Sequence, residues 1–167
     1  MSAVTAYVSG GSNIAPEANL RLAAGELKRR FPGASFSRCY RNKAVGFDGP
    51  DFINFAVALP TTLPLAALDA QLEQIEALCG RPPGAKRWEP RAMDLDVLLY
   101  GDAVGEFGRL KLPRPSLLEW GFMLGPLSEI APDLVHPVQR QSIAALWAAF
   151  DRDSNPLQPV ALDLAAA

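Results

Sequence analysis

The spacing of apolar and polar side chains divides most of the chain into strands and helices. Runs of apolar, β-branched and aromatic residues predict strands over residues 4–9, 34–40, 52–59 and 95–100, and helical spacing predicts helices over 16–31 and 65–78. The resulting order, strand–helix–strand–strand–helix–strand, is typical of a split βαβ or ferredoxin-like fold. In such a fold the two helices cover one face of an antiparallel sheet.

The pattern after residue 100 is more broken. It predicts a turn region over 101–108, a short strand at 110–112, short helices within 116–127 and 143–150, and a loosely packed tail from about residue 151. Of the 167 residues, 49% are hydrophobic and 20% are charged, as in an ordinary globular protein. A chain of this length can bury a sizeable core, so we predict one domain over residues 1–167.

Charge and composition argue against several classes of function. The formal net charge is −2, so the whole molecule has no electrostatic attraction to nucleic acid. No apolar run reaches the roughly 18 residues that span a bilayer, and the N-terminus lacks the basic and apolar regions of a signal peptide. Cys39 and Cys79 suggest neither a disulfide framework nor a zinc site. We therefore expect a cytoplasmic protein that binds neither nucleic acid nor membrane.

The most informative candidate chemistry lies at the start of the strand predicted near residue 95. Asp94 and Asp96 are two residues apart, so on a strand their carboxylates point to the same face and repel each other. A divalent cation such as Mg²⁺ would offset this repulsion. Arg87, Trp88 and Arg91 precede the pair and suit a polyphosphate beside a flat ring. The alternative is a solvated strand end that carries surface ion pairs.

Three further segments suggest weaker sites. Phe52 and Asn54 share one face of a predicted strand, where an aromatic ring and an amide could hold a heterocycle; a core Phe beside an edge Asn is the alternative. The turn at residues 10–13 contains two glycines, and the loop at 42–50 is long enough to cover a ligand. His136, the sole histidine, lies between Val and Pro and is interpreted as structural.

Five short motifs occur along the chain. They are Gly11-Ser12-Asn13, Phe52-Ile53-Asn54, Gly80-Arg81, Arg87-Trp88-x-Pro90-Arg91-x-x-Asp94-Leu95-Asp96, and Gly121-Phe122-Met123-Leu124-x-Pro126-Leu127-x-Glu129-Ile130-Ala131-Pro132. The set resembles the hydroxymethyldihydropterin pyrophosphokinase family of folate biosynthesis, over about residues 4–150. The Trp-x-Pro-Arg-x-x-Asp-x-Asp run is its most specific part.

The resemblance implies both a fold and an activity. The fold would be α+β, a ferredoxin-like αβα sandwich with a mostly antiparallel sheet and helices on its faces. The enzyme would move pyrophosphate from ATP to the hydroxymethyl group of a reduced pterin and release AMP. It would use ATP as co-substrate with two Mg²⁺ ions, and we expect a monomer whose partners are these small molecules.

The resemblance also implies roles for individual residues. Asp94 and Asp96 would hold the metal ions and, with Arg91, form the catalytic group. The pterin would contact Phe52 and Phe122 on its two faces, Asn54 at its edge, backbone near Asn42 and Val45, and Trp88 beside it. The nucleotide would contact Glu76, Arg81, Arg87, Arg91 and Arg114.

Some positions depart from the family pattern. Pro82, Pro83 and Gly84 stand where basic residues are usual, and Glu89 replaces a usual glycine. Arg114 and Trp120 replace a usual histidine and a usual arginine. These changes fall mostly on expected nucleotide contacts, and we predict that Arg114 partly replaces lost phosphate contacts; the alternative is that its side chain points into solvent. The alternative function is therefore a paralogue that binds a pterin or nucleotide with weak or altered transfer.

Overall fold

The computed structural model describes residues 2–44, 48–80, 92–154 and 156–165. The strands are β1 (Val4–Ser12), β2 (Ser35–Phe36), β3 (Cys39–Asn42), β4 (Phe52–Thr61), β5 (Asp94–Tyr100), β6 (Gly105–Phe107), β7 (Leu110–Leu112) and β8 (Gln158–Val160). The helices are α1 (Pro16–Arg30), α2 (Leu65–Leu78), α3 (Gly121–Ile130) and α4 (Ile143–Ala148), with a 3₁₀ helix at Pro115–Leu118. Across these ranges, every helix is too short or too polar to cross a membrane.

The strands form a mostly antiparallel main sheet. Within the described ranges its order is β5-β1-β4-β3-β8, and β2 pairs with β4 beside β3. β1 and β4 are the long central strands, and they pair antiparallel from Val4 opposite Thr61 to Ser12 opposite Ile53. β6 and β7 form a separate hairpin. The fold class predicted from the sequence, α+β with helices on the faces of an antiparallel sheet, is confirmed.

The two faces of the sheet carry different helices. α1 and α2 cover one face with a large apolar core, in which Leu27 and Leu72 pack with Val8 and Phe55. α3 and α4 cover the other face, and their core contains Leu124, Leu127 and Ile143 with Ala56, Leu98 and Leu99 of the sheet. The two helices of the predicted order, α1 and α2, thus cover one face as expected, and the C-terminal helices α3 and α4 cover the other.

A β-bulge in β5 changes which side chains of the strand point to each face of the sheet. Val97 lies opposite Val8 and Leu99 lies opposite Tyr7, so Leu98 is an extra residue in the ladder. As a result Leu98 and Leu99 both pack in the core under α3 and α4. Val97, before the bulge, belongs to the opposite core.

The single strand predicted over residues 34–40 is two strands. Phe36 lies opposite Val57 and Tyr40 lies opposite Asn54, so this segment has one more residue than β4 across the same distance. Ser37 lies at the break, where its Oγ accepts a 2.8 Å hydrogen bond from the Ala56 N–H. A side chain thus takes the place of a backbone partner and interrupts the ladder.

The C-terminal residues correct a second prediction. The sequence predicts a loosely packed tail from about residue 151, but β8 pairs with β3, and Cys39 lies opposite Val160. Leu162 and Leu164 are buried in the core with α1 and α2. Apolar burial and edge pairing together hold this segment, so it forms part of the fold.

Candidate active site

Asp94 and Asp96 point to the sheet face that α3 covers. Leu95 and Val97 belong to the core on the α1 and α2 side. Because neighbouring residues of a strand point to opposite faces, the two aspartates share the other face. The two carboxylates therefore lie on the same face of β5, as their spacing in the sequence predicts.

A row of small and polar residues crosses the sheet from Asp94. Gly11 of β1 lies opposite Asp94 on one side and opposite Asn54 of β4 on the other, and Tyr40 of β3 lies opposite Asn54. A Cβ atom added to Gly11 would collide with the amide oxygen of Asn54. Glycine is therefore required here for the Asn54 amide to lie across β1 toward the aspartates.

Asn54 is oriented by its neighbours. It is only 4% exposed, and its Nδ2 donates a hydrogen bond to Oδ1 of Asn42. Asn42 itself lies opposite Phe52 at the start of β4. The structure therefore brings together Phe52, Asn54 and Asn42, three of the residues predicted to contact a pterin.

Arg114 lies against Asp96 at the other end of the site. Its guanidinium is 3.4 Å from Asp96 Oδ1, and both side chains are about one-quarter exposed. The pKa of the Asp96 carboxyl is raised to about 7, chiefly by burial and then by the negative charge of Asp94, while the Arg114 guanidinium opposes both. Burial and mutual repulsion thus make the carboxylate pair electrostatically costly, and Arg114 offsets part of that cost.

This donor set fits Mg²⁺. Among the described residues, no group of three or more His, Cys, Asp or Glu side chains could enclose a metal. Mg²⁺ commonly uses one or two carboxylates and fills its other positions with water and substrate phosphates. Asp94 and Asp96, partly exposed and repelling each other, match that requirement better than they match a closed structural metal site.

Glu76 reaches the site strand from α2. It is 8% exposed, and its Oε2 accepts a 2.8 Å hydrogen bond from the Leu95 N–H, between the two aspartates. Arg114 donates from Nε to the Val97 carbonyl at 3.0 Å. The contacts seen for Glu76 and Arg114 are thus to β5 and its carboxylate, and their predicted contacts with a nucleotide stay predictions.

Phe122 lies in the first turn of α3, and Trp120 precedes that helix. The two rings stack with centroids 6.1 Å apart and an interplanar angle of 25°. α3 packs against β4, on the face that carries Phe52 and Asn54. Trp120, one of the departures from the family pattern, therefore supports the ring that is predicted to stack on the pterin.

Tyr40 and Glu129 were not singled out as interacting residues by the sequence reasoning. The Tyr40 hydroxyl donates to the Glu129 carboxylate, which also accepts a 2.8 Å hydrogen bond from the Arg38 N–H. These bonds tie the last turn of α3 to β3 and to Arg38, the residue before it. Tyr40 and Asn54 share a face because β3 pairs with β4 and places them opposite each other. The alternation of residues 34–40 alone does not reveal this pairing.

His136 has a structural role, as interpreted from the sequence. It is 3% exposed, and its Nδ1 accepts hydrogen bonds from the backbone N–H groups of Val138 and Gln139 at 3.2 and 3.0 Å. Burial lowers the pKa of the imidazole, which favours the neutral form that such acceptance requires.

Part of the predicted site cannot be placed. Val45, Arg81, Arg87, Trp88 and Arg91 lie outside the described residues, as do Pro82, Pro83, Gly84 and Glu89. Their predicted contacts with pterin and nucleotide stay predictions.

Comparison with known proteins identifies a family and several relatives. Residues 7–132 match the sequence model of the 7,8-dihydro-6-hydroxymethylpterin-pyrophosphokinase (HPPK) family. The 2-amino-4-hydroxy-6-hydroxymethyldihydropteridine pyrophosphokinase of Synechocystis sp. is 40% identical over 145 residues, which are 84% of this chain and 73% of the relative. The protein of the same name from Aquifex aeolicus is 35% identical over 157 residues, covering 93% and 94% of the two chains.

A solved structure supports the fold. The crystal structure of wild-type Plasmodium falciparum HPPK-DHPS superposes with a TM-score of 0.64 at 14% identity. The match covers 88% of this chain but only 44% of the longer Plasmodium chain. With the match over residues 7–132 and relatives at 35–40% identity, this chain belongs to the 7,8-dihydro-6-hydroxymethylpterin-pyrophosphokinase family.

Proposed function

We propose that this protein transfers pyrophosphate from ATP to the hydroxymethyl group of 6-hydroxymethyl-7,8-dihydropterin and releases AMP. Family membership supports the reaction. The single structural observation that carries the proposal is the row from Asp94 through Gly11 to Asn54, which sets a carboxylate pair beside a buried amide. One end of the row suits a metal-bound polyphosphate, and the other suits the edge of a flat heterocycle.

The carboxylate end would serve phosphoryl transfer through alignment and charge. Such transfers need little covalent help from the protein and depend on positioning and neutralisation of the phosphates. Two Mg²⁺ ions, when bound, would neutralise phosphate charge and lower the pKa of the attacking hydroxyl. Asp94 and Asp96 would hold them, and Arg91 would complete the catalytic group. Arg81, Arg87, Glu76 and Arg114 would face the nucleotide.

The amide end would select the pterin. Asn54 would hydrogen-bond the edge of the ring, helped by Asn42 and Val45, and its fixed orientation reduces the entropy lost on binding. Phe52 and Phe122 would supply the two aromatic faces, with Trp88 beside them. Trp120, stacked on Phe122, would restrict the motion of one face.

The test is incubation of the protein with Mg-ATP and hydroxymethyldihydropterin, with separation of AMP from ADP by chromatography. We expect AMP that appears only when the pterin is present. Asp96→Asn provides the matched inactive control. Release of ADP instead would indicate another kinase activity. Absence of turnover despite pterin binding would favour a paralogue with weak or altered transfer and would contradict the proposal.

The same proposal includes one domain over residues 1–167, a monomeric state and a cytoplasmic location. The two cysteines, Cys39 and Cys79, are free and buried, which suits a reducing compartment. Light scattering coupled to size-exclusion chromatography would test the monomer, and limited proteolysis would test the single domain. Fractionation of the source cells would test the location.

A further inference from the structure

β5 carries both candidate metal ligands, and it lies at one end of the main sheet in the described part of the chain. Half of the N–H and C=O groups of such an edge strand point away from the sheet and need other partners. An edge strand also tends to be less firmly held than a central one. The partners of the outer groups of β5 therefore bear directly on how well Asp94 and Asp96 are positioned.

Glu76 supplies the partner on one side of Asp96. Its carboxylate accepts the hydrogen bond of the Leu95 N–H at 2.8 Å, and the bond is buried. α2 is packed against the sheet through Leu72 and Ile75, which are 1% and 0% exposed, so the helix is a fixed support. A charged acceptor in a buried place makes a stronger bond than a neutral one.

Arg114 supplies the partners on the other side. Its Nε donates to the Val97 carbonyl at 3.0 Å, and its backbone N–H donates to the Leu98 carbonyl at 2.9 Å. These carbonyls flank the bulge at Leu98, where the ladder with β1 is interrupted. The guanidinium also lies 3.4 Å from Asp96 Oδ1. One residue thus holds both the backbone after Asp96 and its carboxylate.

We propose that Glu76 and Arg114 are positioning residues that fix the backbone of β5 on both sides of Asp96, and so hold the two carboxylates in the arrangement that a divalent cation needs. The inference rests on the proposed function only in taking Asp94 and Asp96 as the cation ligands. In this role, Glu76 and Arg114 position β5 whether or not a nucleotide is bound.

The experiment separates the hydrogen bond of Glu76 from its charge. Glu76→Gln keeps an acceptor oxygen but removes the charge, whereas Glu76→Ala removes both. Glu73→Ala is the matched control, because Glu73 lies three residues earlier on α2, is 57% exposed and pairs with Arg109. Two readouts need no turnover: hydrogen exchange of the Leu95 amide, and titration with Mn²⁺ alone, followed by paramagnetic broadening of the amide signals of residues 92–98.

We expect Glu76→Ala to speed exchange of the Leu95 amide by about tenfold, as expected for the loss of one hydrogen bond, and to weaken Mn²⁺ binding several-fold. Glu76→Gln should lie between the wild type and Glu76→Ala in both readouts, because it keeps the hydrogen bond in a weaker, neutral form. Glu73→Ala should stay near the wild type. Equal weakening of Mn²⁺ binding by Glu76→Gln and Glu76→Ala would overturn the proposal, because charge alone would then be responsible. Unchanged exchange and binding in Glu76→Ala would overturn it as well.

Arg114→Lys tests the other side and does not depend on the folding of Glu76→Ala. Lysine keeps a positive charge near Asp96 but lacks the Nε that bonds Val97, so we expect Mn²⁺ binding to weaken several-fold. Arg109→Lys is the matched control on an exposed ion pair. Unaltered Mn²⁺ binding in Arg114→Lys would overturn the positioning role of Arg114. Because neither readout uses pterin or ATP, failure of the AMP assay would leave these results interpretable.

Discussion

The two faces of the main sheet use the same strands for different purposes. The face under α1 and α2 is mostly apolar, with Phe55, Val57 and Leu59 of β4 fully buried. The face under α3 and α4 is apolar only around Ala56 and the bulge. Beyond that part it carries the polar row and the two aspartates. One face therefore supplies most of the stability, and the other is divided between stability and chemistry.

This division follows from the period of two along a strand. Each residue of β4 or β5 that enters the large core places its neighbours on the opposite face. A strand can therefore present a buried hydrophobic residue and a candidate ligand next to each other without any loop. Substitutions on the two faces should consequently have separable effects on folding and on activity.

The largest expected effect is on transfer. Asp94→Asn or Asp96→Asn should lower the rate of AMP formation by about 10²–10³-fold or more, in line with the loss of one preorganised electrostatic contact. Both variants should keep their melting temperature or raise it, because they relieve repulsion between like charges. Steady-state assays and calorimetry measure the two quantities. Near-normal turnover at ordinary Mg²⁺ would rule out the two-carboxylate site.

The opposite face should give the reverse result. Leu27→Ala removes a side chain of α1 that is 0% exposed, and it should lower the free energy of unfolding by about 2–5 kcal/mol. The folded fraction should keep its apparent constants for ATP and pterin. Urea unfolding followed by assays below the transition gives both values. A change in pterin affinity as large as the change in stability would show that the faces are coupled.

Smaller effects are expected within the polar part of the second face. Phe122→Ala and Asn54→Ala should each weaken pterin binding by about 1–3 kcal/mol through loss of a stacking face or a buried amide. ATP binding should change much less. Calorimetric titration with each ligand separately measures the difference. Equal losses for both ligands would indicate partial unfolding or a misplaced pterin site.

The last test concerns the two thiols, both of which lie in the core under α1 and α2. Burial raises the pKa of the Cys39 thiol to about 12 and that of the Cys79 thiol to about 11. Because only the thiolate reacts, native protein near neutral pH should react with a disulfide reagent orders of magnitude more slowly than denatured protein. Fast labelling of the native protein would show that this face opens readily.

Local periodicity predicted the parts of the fold that depend on neighbours in sequence. The helix over residues 65–78 agrees with α2 because its apolar stripe repeats at helical spacing. The division of residues 34–40 could not be predicted, because it depends on a hydrogen bond from Ala56, nineteen positions away from Ser37. The pairing of β8 was missed for the same reason, since Gln158–Val160 carries little alternation of its own.

The candidate site shows the same limit. The spacing of Asp94 and Asp96 was enough to predict that they share a face. The contacts of Asn54 with Asn42, and of Arg114 with Asp96, depend on how distant segments meet. Arg114 was expected either at phosphate or in solvent, and its partner in the strand could be found only from the assembled sheet.

The bulge at Leu98 also determines where the length of β5 can change. Removing Leu98 alone would restore a regular ladder in which Val97 still lies opposite Val8 and Leu99 opposite Tyr7. Every other side chain of the strand would keep its face. Removing Leu95 instead would turn Asp94 toward the opposite core, because a one-residue slip reverses the faces. Among related sequences, an insertion or deletion in this strand is therefore expected at the bulge, where it leaves the spacing of the aspartates intact.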